Sequence, residues 1–251
     1  MVGIYFSGTG NTKYCIETFL SEYDAKAFSI EEKEAESQLK SHEEIVLAYP
    51  VQYSNMPKIF KDFIVDHKSQ WKGKKIFIIA TMALFCGDGA GVLARLLKKY
   101  GAVITGGLHI RMPDSICDEK ALKRPFETER AFVKAAENKI KKASTDYKMG
   151  HPQREGLGIL SRMAGFFGQR LYFGGKTKQY SDRLKIDREK CVGCRKCVAL
   201  CPMKNITVES GKAVAAGRCT MCYRCLNACP KQAMTLLGKA VVRQGSLESY
   251  L

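Results

Sequence analysis

An eleven-residue cysteine pattern occurs twice in this chain, and it restricts the possible folds more than any other feature. Cys191, Cys194, Cys197 and Cys201 stand before Pro202; Cys219, Cys222, Cys225 and Cys229 stand before Pro230. Each run reads C-x2-C-x2-C-x3-C-P. In this spacing three close thiolates wrap one four-iron cube, and the chain carries the fourth away to the other cube. The pattern predicts two 4Fe-4S clusters: one on Cys191, Cys194, Cys197 and Cys229, the other on Cys219, Cys222, Cys225 and Cys201. Structural zinc also uses paired C-x2-C units, but its four ligands account for neither the third cysteine of each run nor the repeated Cys-Pro.

Eight of the 11 cysteines fall between residues 191 and 229 of a 251-residue chain. The amino-terminal part must therefore fold on an ordinary apolar core, which 45% hydrophobic content allows. The expected divisions are 1–150, a connecting and docking segment at 151–181, and 182–251 including a carboxy-terminal tail. The opening MVGIYFSGTGNT lacks a basic region followed by an apolar one, so it does not read as a secretory signal. The longest apolar run, Ile76 to Cys86, is interrupted by Thr81 and suits a buried strand, so no stable membrane insertion is expected. Cluster thiolates require a reducing compartment, and the expected location is the cytoplasm.

The formal charge of +16 is uneven. Residues 1–150 hold 23 Lys+Arg against 19 Asp+Glu, net +4, and residues 151–251 hold 18 against 6, net +12. Anionic cofactors offset part of this excess. Without a helix-turn-helix, finger or stacking platform beside the charge, nucleic acid is not an expected partner. Redox proteins with acidic docking surfaces are, and self-association as a homodimer stays open.

Val2 to Phe6 form an apolar strand running into Ser7, Gly8, Thr9, Gly10, Asn11 and Thr12, after which Lys13 to Tyr23 reads as a helix. Glycines that let backbone N–H groups curl, hydroxyls at Ser7, Thr9 and Thr12, and a helix amino terminus together make a phosphate site. It is neither a Walker loop nor a G-x-G-x-x-G fingerprint. The loop resembles that of the flavodoxin family, and the resemblance implies FMN.

Apolar strands at 2–6, 25–30, 45–49, 75–81 and 102–110 alternate with helical stretches at 13–23, 56–66, 91–100 and 119–142. The expected fold is α/β, a flavodoxin-like doubly wound five-stranded parallel sheet, whose ligands sit beyond the carboxyl ends of the strands. Two more loops lie at that end. The first holds Pro50, Val51, Gln52, Tyr53, Ser54, Asn55 and Met56 and resembles the P-x-x-Y-x-x-x-P segment of flavodoxin-like reductases, which implies flavin contacts with Tyr53 as the stacking ring. The second holds Met82, Ala83, Leu84, Phe85, Cys86, Gly87 and Gly89, whose backbone amides suit the tuning of a flavin. Cys15 reads as a core residue, and Cys86 has no positioned base to activate it. Cys117 and the histidines His42, His67, His109 and His151 show no ligand spacing.

From His151 to Lys185, apolar residues (Leu157, Ile159, Leu160, Met163, Phe166, Phe167, Leu171, Tyr172, Phe173) are set among Arg154, Arg162, Arg170, Lys176 and Lys178, and Gly174-Gly175 ends the run. The stripe is expected to dock on the parent domain; a basic amphipathic helix on a membrane surface is the alternative. The cysteine half repeats with an offset of 28 residues, Cys191 to Cys219. It resembles a bacterial two-cluster ferredoxin, a small α+β domain, but carries Lys196, Lys204, Arg218, Arg224 and Lys231 where the common ferredoxins of this type are acidic. The whole chain resembles the flavodoxin–ferredoxin fusions of anaerobic bacteria and archaea. That implies electron relay between two clusters and FMN, to or from partner oxidoreductases. The second reading is an FMN-dependent reductase of a small molecule fed through its own clusters; with no proton-relay constellation in the sequence, no catalytic residue is assigned and a carrier is favoured over a stand-alone enzyme.

Overall fold

A computed structural model describes residues 1–167 and 183–251. Ten elements build the first unit: β1 (Val2–Tyr5), α1 (Asn11–Leu20), β2 (Ala27–Ser29), α2 (Glu34–Ser41), β3 (Glu44–Pro50), α3 (Lys58–Asp66), β4 (Lys75–Met82), α4 (Gly89–Lys99), β5 (Val103–Arg111) and α5 (Phe126–Lys148). The sheet order is β2-β1-β3-β4-β5, and every pairing is parallel. Both faces of such a sheet are covered by helices, so its central strands β3 and β4 are apolar along most of their length. Ile45, Leu47 and Tyr49 of β3 and Ile76, Ile78 and Ala80 of β4 join the core beneath α2, α3 and α4. The intervening Val46, Ala48, Phe77 and Ile79 join the core beneath α1 and α5.

Three sequence expectations shift. The second strand, expected at 25–30, pairs only over Ala27–Ser29, because this edge strand is half-buried and gains little from a longer ladder. Helix α2 was not expected: only Ala35 and Leu39 of its eight residues are buried, too sparse a stripe to read. The helix expected at 119–142 is α5, which starts at Phe126 directly after Pro125. Proline disfavours helical backbone in the residue before it but suits a helix start, so Lys120–Leu122 forms a separate short 3-10 turn.

The free edge of β5 is covered by the chain after α5. The Gly107 amide donates to the Gln153 carbonyl at 2.8 Å, and the Glu155 amide donates to the Gly107 carbonyl at 2.8 Å. Glycine permits this approach, since a Cβ at Gly107 would lie 2.6 Å from the Glu155 carbonyl oxygen. Covering an edge removes a template for aggregation.

Next comes α6 (Ile159–Gly165), the described part of the stripe expected to dock. Leu157 packs on the first core and Gly165 is buried, but Ile159, Leu160, Met163, Phe166 and Phe167 are all exposed. The rest of that stripe (Arg170, Leu171, Tyr172, Phe173, Lys176 and Lys178), with Gly174-Gly175, lies outside the described residues.

The cysteine unit contains β6 (Lys185–Ile186), α7 (Lys196–Leu200), β7 (Ile206–Glu209), β8 (Lys212–Ala215), α8 (Arg224–Ala228) and β9 (Met234–Thr235). Antiparallel pairs join β6 to β9 and β7 to β8. The sequence repeat is also a backbone repeat. Left-handed residues recur at Gly193 and Met221 (φ 68 and 56), Arg195 and Tyr223 (φ 61 and 61), and Lys204 and Gln232 (φ 48 and 48). Five of these six are not glycine, a conformation that persists only where surroundings impose it.

Substituting Gly107→Val should detach the 153–155 segment, lower stability by about 2 kcal/mol and produce concentration-dependent association through the bared β5 edge. Chemical denaturation and sedimentation velocity check both.

Candidate functional site

Four loops leave the carboxyl ends of β1, β3, β4 and β5 and enclose one cleft, whose empty space is ≈ 1060 Å³ with its open mouth included. That size suits a small-ligand site. Of the residues named from sequence, Ser7, Gly8, Thr9, Asn11, Thr12, Pro50, Val51, Gln52, Tyr53, Met82, Ala83, Leu84 and Phe85 line it. Seven stand behind the lining. Gly10 takes φ 97 at the start of α1, where a Cβ would meet Leu247. Ser54 and Met56 are buried, Met56 in the first core, and Asn55 uses its side-chain oxygen to accept the Met56 amide at 2.9 Å. Cys86 is buried and its thiol is pushed up to about 12 by that burial, which removes it as a nucleophile. Gly87 faces Gly165, and Gly89 packs against Cys86 and Val51 while its carbonyl accepts the Tyr49 hydroxyl.

The first loop is built to hold an anion. It runs from β1 onto the amino terminus of α1, a helix of 10 residues. The Ser7 hydroxyl is buried with no hydrogen-bond partner among the described residues, and a buried donor in that condition calls for an acceptor. Thr9 and Thr12 are braced from the side, Thr9 by the Ser115 hydroxyl at 2.6 Å and Thr12 by the Thr81 hydroxyl at 2.8 Å. This donor set fits a phosphate. Tyr53 and Ser54 form a two-residue turn with φ 49 and 55, closed by reciprocal Gln52–Asn55 backbone bonds of 2.9 Å. The turn carries Tyr53 into the cleft wall, against the core of the cysteine unit.

Two parts of the wall were not legible. Met112, Pro113, Asp114, Ser115, Ile116 and Leu122 come from the loop after β5; the strand end gave their location, but no motif marked them. Met221, Cys222 and Tyr223 come from the second cysteine run.

That run is bound tightly to the phosphate loop. A Cβ at Gly8 would lie 2.3 Å from the Cys222 carbonyl oxygen, so only glycine fits there. Arg224 donates to the Ser7 carbonyl at 2.6 Å and the Gly8 carbonyl at 3.2 Å, and pairs with Glu31. The Gln52 amide donates to the carbonyls of Thr220 and Met221 at 3.0 and 3.2 Å. Asp118 accepts the amides of Leu236, Leu237 and Gly238 at 2.5, 3.0 and 3.2 Å, and the Asn227 amide donates to the Ser115 carbonyl at 2.9 Å. The tail then returns to the first unit: the Leu247 amide donates to the Thr9 carbonyl at 2.9 Å, and Leu247 and Tyr250 join the core beneath α1.

The eight cysteines divide between two smaller cavities. Cys191, Cys194, Cys197 and Cys229 line one of ≈ 390 Å³. Cys201, Cys219, Cys222 and Cys225 line the other, of ≈ 360 Å³. Backbone amides donate to four of the sulfurs: Ala213 to Cys191 at 3.4 Å, and Asn205 to Cys201, Met221 to Cys219 and Ala233 to Cys229 at 3.3 Å each. Such bonds favour thiolate charge and set the potential of a sulfur-ligated cluster. Among the described residues, no three His, Cys, Asp or Glu side chains come together as ligands of one metal ion. The two cavities differ in setting. Cys222 belongs both to its own cavity and to the large cleft, whereas Cys194 is exposed. Burial pushes the Cys222 thiol up to about 12.

Two family models match the chain: a flavodoxin domain over residues 3–99 and a 4Fe-4S dicluster domain over residues 183–231. Among solved structures, the chain is similar to the two-electron reduced flavodoxin of Megasphaera elsdenii, with 20% identity over 58% of this chain and 99% of that one, TM-score 0.42. The Fusobacterium nucleatum flavodoxin bound to flavin mononucleotide gives 20% identity, 59% and 96% coverage and a TM-score of 0.41. The Streptococcus pneumonia TIGR4 flavodoxin gives 13%, 59%, 97% and 0.43. No curated protein matches the chain. A flavodoxin domain implies FMN, and a 4Fe-4S dicluster domain implies 4Fe-4S clusters.

Replacing Gly8 with Ala should force the Cys222 loop away from the phosphate loop, lower the thermal midpoint and weaken flavin retention. Gly158→Ala, where a Cβ meets nothing within 4 Å, should leave both unchanged. Calorimetry and equilibrium dialysis of flavin check the pair.

Proposed function

We propose that this chain, which carries a flavodoxin domain followed by a 4Fe-4S dicluster domain, is an electron-transfer protein with a fixed internal order of cofactors. The divisions 1–150, 151–181 and 182–251 serve as its units, with the tail from residue 244 functionally part of the first. Bound FMN would exchange one or two electrons and each cluster one. Ser7 to Thr12 would hold the flavin phosphate, while Tyr53 and the 82–85 loop would hold the ring system. Cys201, Cys219, Cys222 and Cys225 would hold a proximal cluster, and Cys191, Cys194, Cys197 and Cys229 a distal one.

One observation carries this order: Cys222 lines both the flavin cleft and one cysteine cavity. No other cluster cysteine lines the cleft. Around the distal cavity, exposed Cys194 stands with Arg195 and Lys196, and Lys231 is also at its wall. An acidic surface on a redox partner would complement these cations and speed encounter. Electrons would therefore pass between partner and flavin by way of the distal and then the proximal cluster. Arg224 ties the proximal run to the phosphate loop and Gln52 ties it to the loop after β3, so this path needs no domain motion.

Anaerobically isolated protein should contain about eight iron per chain with one FMN. Cys194→Ser should remove about four of them, keep the FMN, and abolish flavin reduction by a protein donor while leaving photochemical flavin reduction intact. Retained donor-driven reduction would contradict the distal-to-proximal order. Stripping iron from wild-type protein should weaken FMN binding about tenfold, because the loop around Cys222 forms part of the cleft wall; flavin fluorescence titration reads this directly.

A further inference from the structure

The two cysteine copies repeat one backbone and differ in their buried polar side chains. At the offset of 28 residues, Asn205 corresponds to Ala233 and Thr220 to Val192. Main-chain donors to sulfur are nearly matched. The amides of Asn205 and Ala233 reach Cys201 and Cys229 at 3.3 Å each, those of Met221 and Gly193 serve Cys219 and Cys191, and the distal set gains one more from Ala213. Side-chain donors are not matched. Asn205 and Thr220 line the proximal cavity, whereas Val192 and Ala233 line the distal one and have no side-chain donor to offer.

Asn205 is 1% and Thr220 5% exposed, and Asn205 Nδ2 and Thr220 Oγ1 have no hydrogen-bond partner among the described residues. Buried donors in that condition call for acceptors. The Asn205 oxygen already accepts the Arg218 amide at 2.6 Å, which leaves the NH2 as its free end. Thr220 is fixed through its carbonyl, which accepts the Gln52 side chain at 3.0 Å. The acceptors that a 4Fe-4S centre would present in this cavity are sulfurs, and each donor to them favours the form with the greater negative charge. Two other influences are weaker. Arg195, Lys196 and Lys231 at the distal wall are exposed, where water and salt screen them. Burial divides the cysteines unevenly but not by set: Cys194 is exposed while Cys191 and Cys197 are buried, and Cys201, Cys219 and Cys222 are half-buried. We infer that Asn205 and Thr220 donate to the proximal centre and make it the easier of the two to reduce. Resting on the electron-transfer reading, this assignment gives it a direction. A single electron added to the chain is held at the proximal set, beside the flavin cleft, with the distal set oxidised and no bond or proton moved.

The test is an anaerobic redox titration of the full-length holoprotein, read by electron paramagnetic resonance at high salt, where the exposed cations contribute least. Two one-electron waves should appear for the clusters, with the upper centre holding the electron at least about tenfold more often, a separation of about 59 mV. C194S, which spoils the distal set, should leave the upper wave alone. T220V keeps the shape of the side chain and removes only the hydroxyl; it should lower the upper wave, leave the lower one in place and retain about eight iron per chain. Adding N205A should bring the two waves together. Fewer than two four-iron clusters in the wild-type protein would overturn the electron-transfer reading and this inference with it. Two clusters with coincident waves, loss of the upper wave in C194S, or an upper wave that T220V does not move would overturn the inference and leave that reading standing.

Discussion

The Cys222 carbonyl rests against Gly8, and the arrangement of the two units depends on that contact. It sits where both parts are least able to yield. On one side the phosphate loop is drawn tight between β1 and α1. On the other, Met221 and Tyr223 flank Cys222 with left-handed backbone. Arg224 reinforces the contact by combining a charged pair to Glu31 with bonds to the Ser7 and Gly8 carbonyls. Hydrogen bonds to charged groups contribute about 1.5–3 kcal/mol each, enough to make this corner rigid. Leu247 closes the same loop from the far side, so the phosphate loop is held between two segments of the carboxy-terminal unit.

A rigid joint favours electron transfer over substrate turnover by moving parts. In the proposed relay, the wall shared by the cleft and the Cys222 cavity would shorten the path that an electron must cross. The opposite cavity opens to solvent among cations, where the proposed partner would approach. The two sites are equal in cysteine spacing and unequal in position: the backbone repeat builds the same cradle twice, and docking to the first unit then makes one inner and one outer.

Much of this was legible from the residues. Spacing alone groups Cys191, Cys194 and Cys197 with Cys229, and the same four residues line one cavity. The Ser7–Thr12 loop could be read because glycines, hydroxyls and a following helix are all local features. What could not be read is non-local. Gly8 looked like a phosphate glycine, yet its missing side chain is required by a carbonyl 214 residues away in sequence. The loop at 112–122 has no motif, and its role comes only from leaving the sheet beside the other three. The attachment of α6 through Gly165 was equally illegible, because a buried glycine carries no apolar signal.

The most direct measurement is an anaerobic crystal structure of the holoprotein with iron anomalous scattering. The account predicts two four-iron peaks, the one nearer the flavin bound by Cys201, Cys219, Cys222 and Cys225, with the flavin phosphate on Ser7 to Thr12. A flavin whose nearer cluster is bound by Cys191, Cys194, Cys197 and Cys229, or a single iron centre, would contradict it.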